Sequence, residues 1–160
     1  MPATYPVQIV KKHNGTGGWL TEDTVEAAGQ AYVAGSLVKV AASGAVTVMT
    51  SGNYAGLLGV AQTDATGVTG AKAIVSIIEP GDMVEFTLVN GSATPVVGTL
   101  ADLYKRYRIY QSGYETFLDK SSATGACFQI VDIRKDTLGV YTKQVVATPI
   151  ATTLVVGTGL

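Results

Sequence analysis

The sequence predicts an all-β fold, a small barrel or sandwich with extended arms at both ends. Three observations predict it. Short runs of alternating or β-branched apolar residues recur roughly every ten residues, each closed by Gly, Ser, Asn or Asp. In one of them Val84, Phe86 and Leu88 alternate with Met83, Glu85 and Thr87, directly after the turn signature Glu79-Pro80-Gly81-Asp82. Only two short stretches, residues 21–28 and 99–103, carry any helix signal. The expected layout is an N-terminal arm over residues 1–18, one globular domain over 19–147 and an extended segment over 148–160.

Taken in order, the arm begins with Tyr5 held extended by Pro6. Val7, Gln8, Ile9 and Val10 follow, then Lys11, Lys12 and His13, then the glycine-rich hinge Asn14-Gly15-Thr16-Gly17-Gly18. Tyr5, Val7 and Ile9 carry more apolar surface than a solvated tail, so the arm is expected to order against a neighbouring chain. Trp19 opens the domain. Thr21 to Ala28 reads either as a weak helix or as a short extended segment, and Ala31-Tyr32-Val33 reads as strand. Residues 36–49 form the clearest hairpin, two alternating runs around a two-residue Ser43-Gly44 loop. Leu57 to Ala61 is a strand whose Gly59 marks a bulge or a close approach of backbones.

Residues 71–78 and 83–89 read as two antiparallel core strands joined by the proline-glycine turn. A helical turn is expected near residues 99–103. Next comes a strand over 104–110, with Tyr104, Arg106, Arg108 and Tyr110 on one face and Lys105, Tyr107 and Ile109 on the other. Three more strands are expected, over residues 115–119, 126–133 and 139–147. The last stretch, TPIATTLVVGTGL, has no charged side chain and is β-prone. A disordered tail is normally polar and charged, so this one is expected to dock.

Composition narrows the function. Apolar residues make up 47% of the chain and charged residues only 14%, against about 25% in ordinary soluble domains. So few charges leave surface for other chains to cover. A net charge of −1 argues against nucleic acid as partner, because phosphate binding needs clustered Lys and Arg. The lone cysteine, Cys127, rules out an internal disulfide and reads as a small buried hydrophobe. No signal-peptide pattern and no membrane-length apolar run stands out, which sets the expectation of a soluble, unprocessed chain with no membrane partner.

Chemistry is not visible. His13 is the only histidine and sits on the arm, so it reads as a solvated contact rather than a general base. One histidine and one cysteine do not make a zinc site, and the glycines after Asn14 lack the Lys-Ser/Thr of a phosphate loop. Glu79, Asp82 and Glu85 read as solvated charges. No cofactor, metal or enzymatic activity is expected. The tyrosine–arginine strand fits three roles, ranked as a protein interface first, a charge-protected edge second and a single-strand nucleic-acid platform third.

The layout of residues 30–147 resembles the capsid decoration, or cement, proteins of tailed bacteriophages. The residues that carry the resemblance are Ala34-Gly35-Ser36-Leu37-Val38, Leu58-Gly59-Val60-Ala61 and Glu79-Pro80-Gly81-Asp82-Met83-Val84-Glu85. The resemblance implies a β-barrel or β-tulip-like domain, commonly a homotrimer, on the outer capsid surface of a virion assembled in the host cytoplasm. Its partners would be the major capsid protein and its own copies, and it would have no catalytic residues. Capsid contacts are expected from Tyr5, Val7, Ile9, Lys11, Lys12 and the strand with Tyr104, Arg106, Tyr107, Arg108 and Tyr110. Subunit pairing is expected from Ile150, Leu154, Val155 and Val156. The alternatives are a tail or fibre-base component, or a ligand- or glycan-binding barrel with Trp19 in its pocket.

Overall fold

The computed structural model describes residues 3–13, 24–51 and 56–150. Its strands are β1 (Gln8–Lys11), β2 (Leu37–Val40), β3 (Val46–Val48), β4 (Leu57–Ala61), β5 (Val75–Ile77), β6 (Met83–Val89), β7 (Arg106–Ser112), β8 (Glu115–Asp119), β9 (Phe128–Lys135) and β10 (Tyr141–Pro149). Among the described residues a 3-10 turn, Leu100–Asp102, is the only helical element. The all-β class expected from the sequence is the one observed.

The later strands close into a ring. β6 pairs with β10, β10 with β9, β9 with β7 and β7 with β8, all antiparallel; β8 then returns to β6 in parallel, Leu88 opposite Leu118. Closure removes free sheet edges. The period-2 pattern read in β6 sends Val84, Phe86 and Leu88 into the core beside Ile109, Leu118, Phe128, Ile130 and Val145. Phe86 and Phe128 meet edge to face with centroids 4.7 Å apart. Outside, Glu85 pairs with Arg134 at 2.7 Å.

A second sheet has the order β3-β2-β4-β5. Residues 24–27 lie along both β3 and residues 71–73, through the bridges Glu26 to Val46 and Val25 to Lys72, so this sheet is wrapped almost round. Neighbouring residues of β2 serve different cores, as a period of two demands. Leu37 joins the ring's core, while Val38 packs with Tyr32, Val46, Ala73 and Val75. The two lobes are stitched where the Ser36 hydroxyl donates to the Tyr114 carbonyl at 2.7 Å and Leu37 N–H to the Thr116 hydroxyl at 3.3 Å.

Four expectations need correction. The strands on either side of the proline-glycine turn do not pair with each other: β5 belongs to the second sheet and β6 to the ring. The turn itself is as read, with Asp82 N–H donating to Glu79 O at 3.1 Å and Gly81 at φ +87°. It is a corner between lobes, because β1 occupies the edge of β6 that β5 was expected to take. The hairpin loop has three residues, Ala42-Ser43-Gly44, closed by Ala41 N–H to Ala45 O at 2.8 Å, with Gly44 in the left-handed position. Tyr32 lies in a loop rather than a strand and is buried to 2% exposure. Residues 24–26 are extended, which decides between the two readings of that stretch.

The fourth correction concerns the N-terminal arm. Residues 3–13 are integrated into the chain's own fold rather than left for a neighbour. Ile9 sits opposite Val84 in the sheet, and Val7, at 1% exposure, fills the core. Apolar residues here had a vacant strand edge of their own to cover, and the sequence pattern does not say whose edge an extended segment takes.

Candidate functional site

The described buried acids are committed to architecture. Asp82, fully buried, accepts from Glu79 N–H at 2.8 Å, His13 N–H at 2.9 Å and the Lys12 ammonium, which also donates to Ile77 O at 3.0 Å. Lys12 pairs with Glu79 at 3.0 Å as well. Burial works to lower the Lys12 pKa, but its bonds to Asp82 and Glu79 outweigh that and raise it. Asp82 therefore corrects the reading of a solvated turn charge, and Lys12 is a clamp across the corner. Glu26, at 1% exposure, accepts from the N–H groups of Thr66 and Gly67 and from the Thr66 hydroxyl. Burial first, and then the Glu26 charge, push the Tyr32 hydroxyl up to about 12.

Asp102 and Asp119 do the same for the loops beyond β6 and β8. Asp102 accepts from Thr99 N–H at 2.8 Å, the Thr99 hydroxyl at 2.9 Å and the Tyr107 hydroxyl at 2.8 Å. Asp119 accepts from Gly91 N–H, Ser121 N–H, the Ser121 hydroxyl and the Arg108 guanidinium, all between 2.8 and 3.0 Å. Burial alone would raise both carboxyls, yet these donors hold both below the usual range. The sign follows. A depressed folded pKa contributes stability that is present above the unfolded value of about 3.9 and is lost as pH falls through the folded value. Lys12, raised, contributes stability that is present below about 10.5 and is lost as pH rises through its folded value. Unfolding midpoints measured across pH should be level near neutrality and fall below about pH 4; a midpoint still flat at pH 2 contradicts this account.

Among the described residues no three of His, Cys, Asp and Glu gather into a metal-holding group. Cys127 is fully buried, and burial pushes its thiol up to about 12, far from a reactive thiolate. His13 is exposed, as expected. The ring's core is filled by side chains of its own strands together with Val7, Leu37, Met49, Leu57, Val60 and Ile78 from outside the ring.

What the surface offers is apolar. At the end of the ring away from the second lobe lie the loop after β6, the 3-10 turn and the β9–β10 hairpin tip. Exposed there are Val97 (47%), Leu100 (64%), Tyr104 (70%), Leu138 (86%) and Val140 (59%); Val10, Val25, Val68 and Tyr114 are exposed elsewhere. Of the first group, sequence reading singled out only Tyr104.

The expected strand over 104–110 begins two residues later, at Arg106: Tyr104 lies in a turn with a left-handed backbone, so it and Lys105 take no strand face. For the rest the expected faces are observed, with Ile109 in the core, Tyr107 packed against it, and Arg106, Arg108 and Tyr110 on the other face. That face is only partly free. Arg108 is tied to Asp119, and Tyr110 and Tyr5 both pack on buried Phe117, with centroids 6.4 and 5.4 Å away. Of the expected contact residues, Lys11, Tyr104 and Arg106 are exposed, while Tyr5, Ile9, Lys12 and Ile150 are half-buried. Trp19, Leu154, Val155 and Val156 lie outside the described residues.

Tyr104 has a left-handed backbone, φ +62°, the only such non-glycine residue described. Its N–H donates to Ile130 O at 2.9 Å and its carbonyl accepts from the Gln129 amide at 2.9 Å, which hold it there. That conformation costs an L-residue about 1–2 kcal/mol. Tyr104→Gly should therefore leave thermal stability unchanged or raise it by up to about 1 kcal/mol, as read by denaturant melts. Clear destabilisation would show instead that the ring supports the fold.

No family model matches the chain, and no curated protein sequence matches it.

Proposed function

We propose that the chain is a non-enzymatic structural protein of a tailed-phage particle, a cement that sits on the outer capsid surface and clamps neighbouring major capsid subunits. The observation that carries this reading is the division of labour among side chains. Buried carboxylates hold loops and corners, while Val97, Leu100, Tyr104, Leu138 and Val140 stand exposed in the loops between β6 and β7 and between β9 and β10. Exposed apolar surface is one mark of a protein interaction site. Lys105 and Arg106, both exposed beside Tyr104, add residue types that suit an interface rim. A tail or fibre-base position would use the same surface and is separated from this one by where the protein lies in the particle.

The test is binding of the purified protein to particles stripped of it, with Leu138→Asp/Val140→Asp as the probe. Both positions are exposed, so the fold should survive. The expected result is a loss of binding of at least about tenfold, the equivalent of roughly 1.4 kcal/mol. Unchanged binding by a folded double variant removes this surface from the proposal.

A further inference from the structure

At the corner between the lobes three side chains meet in a way that an ion pair alone does not require. Lys12 Nζ lies 2.5 Å from Asp82 Oδ2 and 3.0 Å from Glu79 Oε2. One carboxylate would neutralise the ammonium; the second leaves the group with a surplus negative charge. The Lys12 and Asp82 side chains are nearly sealed from water, at 8% and 0% exposure. Glu79 Oε2 is itself buried, and its contact with Lys12 is not aligned as a hydrogen bond. The backbone completes the arrangement. His13 N–H donates to Asp82 Oδ1 at 2.9 Å, Glu79 N–H donates to Asp82 Oδ2 at 2.8 Å, and Lys12 Nζ donates to Ile77 O at 3.0 Å.

These are a nucleophile, an acyl carbon and a proton carrier, held in contact with water excluded. Such placement is worth an effective concentration of about 10⁵–10⁸ M, and a dry site also opposes hydrolysis of the product. We propose that Lys12 and Asp82 condense to an intramolecular amide, an isopeptide bond, with Glu79 as the catalytic acid–base. Glu79 takes one proton from the Lys12 ammonium and passes it to Asp82 Oδ2. Nζ, now a neutral amine, attacks Asp82 Cγ and the C–N bond forms. The oxyanion that develops on Oδ1 faces the His13 N–H, a donor already in place. Glu79 then moves a second proton from the nitrogen to Oδ2, the C–Oδ2 bond breaks and water leaves. Nothing is oxidised or reduced, Glu79 ends as it began, and the remaining Nζ–H keeps Ile77 O as its acceptor. Burial works to lower the Lys12 pKa and the two carboxylates outweigh it, so the ion pair is the resting, unreacted form and the first proton transfer sets the pace. The bond ties the end of β1 to the turn that enters β6. It closes the whole stretch that forms the second lobe into one covalent loop, a strong restriction on the unfolded chain.

Tandem mass spectrometry on a protease digest of the purified full-length chain reads the bond directly. The expected product is one branched peptide holding both Lys12 and Asp82, lighter by one water than its two parts. Lys12→Arg keeps the positive charge without the amine, and should stay folded by circular dichroism and give two separate peptides. Glu79→Gln leaves both reacting groups in place and should accumulate the bond at least about a hundredfold more slowly, as loss of an acid–base group does. Lys12 and Asp82 found in separate peptides of the folded, unaltered chain overturn the inference. So does a water lost at Asp82 without Lys12, the mark of a succinimide. A bond that forms equally fast in Glu79→Gln overturns the role given to Glu79. None of these outcomes depends on what the protein binds.

Discussion

Asp119→Ala should lower stability by about 2–4 kcal/mol, the largest loss expected from removing any one polar side chain described here. In a domain of this size each kcal/mol moves the melting temperature by about 2–4 °C, so the midpoint should fall by roughly 4–16 °C. The carboxylate is fully buried and joins three places: the loop after β6 through Gly91, the loop after β8 through Ser121, and β7 through Arg108. Truncation leaves those donors without an acceptor. Arg108→Ala should cost far less, about 1 kcal/mol, because Arg108 is one-third exposed and Asp119 keeps its other donors. Equal losses in the two variants would mean that the ion pair, and not the loop anchoring, is what matters.

Gly59→Ala should be similarly severe, about 3 kcal/mol or more. A Cβ at this position would overlap the backbone carbonyl of Ser76 on β5. Backbone cannot swing aside as a side chain does, so β4 and β5 would have to part. Both strands carry core residues, Leu57 and Val60 on one and Val75 on the other. The expected result is a protein that melts well below the unaltered chain and exchanges the amides of β4 and β5 faster, while the ring's amides stay protected. A variant with an unchanged melting temperature would contradict the close packing of these strands.

Much of the fold was legible because β-strands advertise themselves by a period of two. The faces of β6 and β7, the 3-10 turn and the close approach at Gly59 all follow from local pattern. Pairing partners were less legible. The turn at residues 79–82 has the same sequence whether it joins two paired strands or turns a corner between lobes, and only the long-range capture of Lys12 and the His13 N–H by Asp82 separates the two. Charge was misread for the same reason. An aspartate in a turn is normally solvated, and nothing near Asp82 in sequence announces Lys12 and His13, the distant donors that help bury it; Asp102, by contrast, takes its donors locally from Thr99 and Tyr107. The candidate surface was half legible: Tyr104 stood out by its company, whereas Leu138 and Val140 have ordinary core chemistry at an extraordinary exposure.

The most direct measurement is the number of copies of this protein in purified particles, counted by quantitative mass spectrometry against the major capsid protein. If the chain is a cement, it should be present in a fixed simple ratio to that protein and accessible to proteases or antibodies on intact particles. If purified particles lack it, the proposed function is contradicted.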